Sequence, residues 1–179
     1  MKPIRIAVVV AAVGVGLAAC SDEFPTRSGM SRPWALFQSA LTGTAEVPAV
    51  TTTASGSASV TMIPTYRDSS GKVDTNIVRV EVLVSAIDSV TQAHIHAGDA
   101  LTAGPVMVFV LANVAAGRAP ITGTGKVLTQ LDITRTTAFS GAFTFDSLLT
   151  RIKIGTAYLN VHTRRNPGGE IRGQILPKT

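Results

Sequence analysis

Three histidines are the whole imidazole complement of this 179-residue chain. They fall in two short motifs. His94 and His96 lie in AHIHAG at 93–98, and His162 lies in GTAYLNVHT at 155–163. Successive side chains of a strand point to opposite faces, so His94 and His96 share one face. Neutral imidazole is the commonest nitrogen ligand for zinc and copper, and three imidazoles make a mononuclear site with a position left open. His162 is the third candidate ligand, provided its strand runs alongside AHIHAG. A plainer use of the same region competes with this. Glu170 and Arg172 share one face of the next strand, and Asn160 and His162 share a face across the hairpin. Together they can form a structural polar network that pins strand register with no ligand at all.

Other chemistries find less support. A serine hydrolase would want a G-x-S-x-G elbow, which does not occur. Paired carboxylates could be drawn from Glu170 with Asp99 or Glu46, but spacing along the chain sets no distance between them. Cys20 is the only cysteine, which excludes an intramolecular disulfide.

The elements that must position the histidines read as all-β. The organising stretch is Gly155 to Ile175, a hairpin. One alternating strand ends at Thr163, Asn166-Pro167-Gly168-Gly169 make the turn, and a second strand runs from Glu170 to Leu176. Gly168 and Gly169 offer positive φ, and Gly173 inside the strand points to a bulge or a close approach. Upstream, Trp34 to Leu41 is a first strand, followed by a loop of small residues. Ala58, Val60 and Met62 alternate with polar neighbours. Pro64 to Asp74 reads as a turn, and Val78, Val80, Val82 and Val84 mark the clearest half-buried strand. After AHIHAG and a loop at 98–104, Pro105 to Leu111 is an apolar run expected at the centre of a sheet. Gly123 to Ile133 and Ala138 to Phe143 are further strand candidates. One helix is expected over Ser147 to Ile154, capped by Thr144 or Asp146, stopped by Gly155 and burying Leu148, Leu149 and Ile152. Many short strands at this spacing predict an antiparallel β-sandwich or a barrel-like domain.

The first nineteen residues read as an address. Lys2 and Arg5 precede the apolar run Ile6 to Leu17, and Leu17-Ala18-Ala19 leads into Cys20. This resembles a bacterial lipoprotein signal peptide (1–19), with lipidation of Cys20 as the membrane anchor. A polar tether follows to residue 33, and the domain occupies 34–179. The apolar run is short for a span of ~20 residues, and several acyl chains hold a protein at a membrane more firmly than one. About 147 residues beyond the tether are enough for one domain with a sizeable core. Removing Lys2 and Arg5 from 16 basic and 11 acidic residues leaves 14 against 11, so the net charge falls from +5 to +3. The remaining basic residues are scattered and aromatics are few, which argues against nucleic acid as a partner.

LTGTAEVP at 41–48, AHIHAG at 93–98 with GPV at 104–106, and GTAYLNVHT…NPGGEIRGQI at 155–175 resemble, in that order, the CHRD domain. That module is named after chordin and is also found in bacterial secreted proteins and lipoproteins. The resemblance spans roughly 36–176. It implies an extracellular β-sheet domain acting as a non-enzymatic binding or structural module. Here it would sit in the bacterial cell envelope, at the outer membrane if the host has one, because Ser21 rather than aspartate follows Cys20. Its partner would be an unknown envelope or extracellular protein. HIHAGDALTAGP and NVHT are also similar to the copper-ligand segments of copper–zinc superoxide dismutase. That enzyme's bridging histidine, further zinc-site histidine and disulfide have no counterparts here. The similarity therefore implies at most a mononuclear copper or zinc site at His94, His96 and His162.

Overall fold

The alternation of Val78, Val80, Val82 and Val84 buries four valines on one face of a strand and leaves Glu81 and Leu83 on the other face in water. That division repeats along most of the sheet and sets the fold. A computed structural model describes residues 35–67, 73–112, 121–123 and 126–178, all within one compact unit, 31–179. The leader, Cys20 and the tether lie outside the described residues.

Among the described residues there are ten strands and one α-helix. The strands are β1 (Ala35–Thr42), β2 (Ser55–Arg67), β3 (Val73–Ser85), β4 (Ile87–Ala97), β5 (Val106–Leu111), β6 (Ile121–Gly123), β7 (Lys126–Ile133), β8 (Ala157–Thr163), β9 (Ile171–Gln174) and β10 (Leu176–Pro177); the helix α1 is Phe145–Lys153. One antiparallel sheet runs β5-β4-β8-β9-β1-β2-β3-β7, with β10 on β1 and β6 on β4. The Thr129 hydroxyl on β7 donates to the Val110 carbonyl on β5 at 3.0 Å, drawing the two ends of the path together. The sheet thus nearly closes into a barrel around Leu41, Val60, Met62, Val80, Val82, Ile95, Leu159, Val161 and Ile171, the all-β, barrel-like architecture expected.

Local chemistry explains the helix. Thr144 Oγ1 accepts from the Ser147 amide at 3.2 Å, and Ser147 Oγ accepts from the Thr144 amide at 2.9 Å, a reciprocal capping box. Phe145, Leu148, Leu149 and Ile152 form its buried stripe. Gly155 follows at φ +72°, which ends the helix and turns the chain into β8.

Several expectations need correction. The run Val106 to Leu111 stands at one end of the strand path, not at its centre. Met107, Val108 and Val110 are nonetheless buried there while Phe109 is exposed, and the 134–143 segment runs against the strand, the Ser140 amide donating to the Met107 carbonyl at 2.9 Å. Ala138 to Phe143 is part of that segment of turns, not a strand, with Gly141 at φ +59°. The turn expected over Pro64 to Asp74 is shorter, because β2 and β3 stay paired as far as Arg67 with Val73, with register shifts around Pro64. A strand accommodates proline where the ladder is already irregular. Between the turn glycines, only Gly169 takes a positive φ. Gly173 marks a close approach: a Cβ there would stand 2.1 Å from the Ala40 carbonyl oxygen and 2.3 Å from Ser39 Oγ.

Candidate functional site

Strands β4, β8 and β9 lie side by side, and their register places the polar residues of all three on one face. His94 pairs with Asn160, His96 with Tyr158 and Gln92 with His162. On the other side of β8, Asn160 pairs with Arg172 and Tyr158 with Gln174. The opposite face of these strands carries Ala93, Ile95, Leu159, Val161 and Ile171 and belongs to the core. The polar face is buried as well. His94, His96, Asn160, His162 and Arg172 are each at most 8% exposed. All seven residues of β8 are buried, so the half-exposed strand that its alternation suggests is covered on both sides.

The cover on the outer side is loop backbone, and the polar side chains hold it there. His96 Nδ1 lies 2.8 Å from the Gly104 carbonyl oxygen. Tyr158 accepts from the Gly104 amide at 3.0 Å. Arg172 Nη2 donates to the carbonyls of Asp99 and Thr102, at 2.5 and 3.0 Å, and Gln174 Nε2 donates to that of Gly98 at 2.9 Å. Side chains from three strands thus pin the loop at 98–104. Glycine is required at 104, where a Cβ would fall 1.5 Å from the Ala97 carbonyl oxygen. The Arg172 guanidinium stands 3.4 Å from the Tyr158 ring centroid, and His96 stacks on Tyr158 at 4.8 Å. Arg172 is therefore a buried cation held by an aromatic face and by carbonyl oxygens.

The three histidines converge. One ring nitrogen from each lies within 4.8 Å of the others. His94 Nδ1 is 3.0 Å from His162 Nε2, and His162 Nε2 is also 2.9 Å from Asn160 Oδ1. His162 Nδ1 lies 2.9 Å from the Pro167 carbonyl oxygen. A carbonyl only accepts, so His96 and His162 each carry their proton on Nδ1 and present Nε2 as a lone pair. His94 Nε2 and His96 Nε2 are buried with no hydrogen-bond partner among the described residues. Phe109, itself 44% exposed, packs edge-on against His94 at 4.4 Å.

Electrostatics keep these rings neutral. Burial, with the neighbouring His162 and His96, pushes His94 down to about 4. Burial also lowers His96 and His162, opposed in each by the carbonyl on Nδ1. Glu46 runs the other way. Its buried carboxyl is pushed up to about 7 by desolvation, against the pull of Arg172 and the Asn160 amide.

The expected polar residues do gather here, though in two groups. Asn160 meets His162, and Arg172 meets the 98–104 loop. Glu170 joins neither of them: its carboxylate accepts from Thr163 Oγ1 at 2.5 Å and Thr52 Oγ1 at 2.7 Å. Burial alone would raise its pKa, but these hydroxyls hold it below the usual carboxylate range. Tyr158, Gln174, Phe109 and Glu46 complete the site. The first two follow from period-two spacing with His162 and Arg172, whereas Phe109 and Glu46 come from elements whose adjacency only the fold reveals.

A model of the CHRD domain matches residues 37–175, most of the chain and all of this site. No curated protein and no solved structure matches it.

Proposed function

We propose that this chain, which belongs to the CHRD family, is a lipid-anchored module of the cell envelope that binds or scaffolds another envelope or extracellular protein. A CHRD domain is a non-enzymatic module of extracellular type, and here it fills the chain from 37 to 175. The observation that carries the reading is what precedes the domain: a basic start, an apolar run and a small-residue approach to Cys20, the only cysteine. Acylation of Cys20 would hold the domain at the membrane through the 20–33 tether, in the outer membrane where the host has two. No helix among the described residues is long and apolar enough to cross a membrane. The geometry suits a passive module, because loops and strands are fastened by side chains whose protons are committed to backbone carbonyls.

The test is expression of the full chain and of Cys20→Ser in a bacterial host. Wild type is expected in the membrane fraction, with an N-terminal peptide whose mass shows acylated Cys20, and Cys20→Ser is expected to lose the acyl mass and leave that fraction. An unmodified Cys20, or a variant that stays at the membrane, would overturn the anchor.

A further inference from the structure

We infer that His94, His96 and His162 form a binding site for one late first-row transition-metal ion, copper or zinc. The inference is independent of the anchoring, since every residue it uses lies inside the folded domain.

The proton inventory carries the argument. Three neutral imidazoles hold six ring nitrogens and three protons. Two of the protons are committed on Nδ1, from His96 to the Gly104 carbonyl and from His162 to the Pro167 carbonyl. The third serves the 3.0 Å contact between His94 and His162. Nothing remains for His96 Nε2, or for His94 Nε2 once its proton sits on Nδ1, and both are buried without a partner among the described residues. His162 Nε2 also faces Asn160 Oδ1, a second acceptor, at 2.9 Å. The cluster is rich in lone pairs and short of protons, which is the donor set that a cation takes.

The partners of the far ring nitrogens agree. Histidines that ligate metals usually give their other ring N–H to a backbone carbonyl or carboxylate, which fixes the tautomer and aims the donor. His96 and His162 both do so. Donors around an ion at ~2.0–2.1 Å lie roughly 3.3–4.2 Å apart. The observed 4.8 Å limit therefore asks for only small ring movements. Three imidazoles with no carboxylate among the ligands select copper or zinc over magnesium, calcium or manganese, and the usual order of affinities favours copper. Phe109 beside His94 and Tyr158 stacked on His96 are the aromatic neighbours of these ligands.

The experiment uses the full chain, purified in detergent and stripped with chelator, titrated with Cu(II) and separately with Zn(II) against a competing chelator. One equivalent of either ion is expected, with copper the tighter. The electron paramagnetic resonance spectrum of the Cu(II) form should show coupling to three imidazole nitrogens. His96→Gln and His162→Gln should each weaken binding by at least about 100-fold while circular dichroism stays native. Uptake below one equivalent, or binding unchanged in both variants, would overturn the site. If the variants do not fold, the wild-type spectrum decides, and a spectrum without three-nitrogen coupling overturns it equally.

Discussion

Strands β3 and β8 alternate alike in sequence and end in different surroundings. On β3, Val78, Val80, Val82 and Val84 enter the core while Leu83 on the outer face is 46% exposed. On β8, Leu159 and Val161 enter the same core, yet the outer face of Tyr158, Asn160 and His162 is buried too. The inner faces obey one rule, apolar side chains out of water. The outer faces differ because loop backbone lies over β8, and that backbone must be hydrogen-bonded wherever it is shut away from solvent. Histidine, asparagine, tyrosine and arginine on a strand next to glycine-rich loops therefore mark a covered face, whereas Arg79 and Glu81 on β3 mark a wet one.

The largest expected effect separates the inner face of β8 from the outer face of β3. Leu159→Ala should cost about 2–5 kcal/mol in chemical denaturation, because it leaves a cavity in a closed core. Leu83→Ala should change stability by less than about 0.5 kcal/mol. Equal costs would mean that the inner face of β8 and the outer face of β3 do not differ in burial.

Arg172→Met probes the cover itself. It removes the donors to the Asp99 and Thr102 carbonyls and the cation over Tyr158, for an expected loss of about 1–3 kcal/mol. Amide exchange should accelerate at 98–104 and stay unchanged along β3. Uniform acceleration would instead signal a global effect.

The pH profile should show a smaller, two-sided signature. The histidine pKa values lie lower in the folded than in the unfolded protein, so the fold favours the neutral rings. Their contribution is whole above about pH 6.5 and is lost as pH falls towards about 4, the value for His94. Glu46 is raised to about 7, so the fold favours its protonated form. Its contribution is whole below about pH 4.5 and is lost as pH rises through about 7. Urea midpoints should decline on both sides of a maximum near pH 6–7. Glu46→Gln should remove the decline through about pH 7 and steepen the acid side, where Glu46 opposes the histidines between about pH 4.5 and 6.5, and an unchanged profile would count against a buried Glu46.

How much of this was legible in the chain depends on how local the cause is. The Thr144–Ser147 cap, the stripe of Leu148, Leu149 and Ile152 and the stop at Gly155 are all settled within a few residues, and the helix was readable. So was the inner face of β3. Val106 to Leu111 misled, because an apolar run looks the same at the end of a strand path as at its centre. Ala138 to Phe143 misled because the Ser140–Gly141 turn outweighs the strand propensity of its neighbours. The histidine motifs stood out by rarity, but their meeting requires β4 to lie beside β8, with His94 and His162 separated by 68 positions. The isolation of Glu170 from Arg172 follows from Thr52, in a loop that no pattern links to β9.

The most direct test of the covered face is the protonation of its rings, read by long-range ¹H–¹⁵N correlation of the metal-free protein at neutral pH. His96 and His162 are predicted in the Nδ1–H form with Nε2 unprotonated, because the Gly104 and Pro167 carbonyls take the Nδ1 protons, and without titration as pH drops through 6.5, because burial lowers both rings. Nε2–H rings, or rings that titrate like free histidine, would contradict the account.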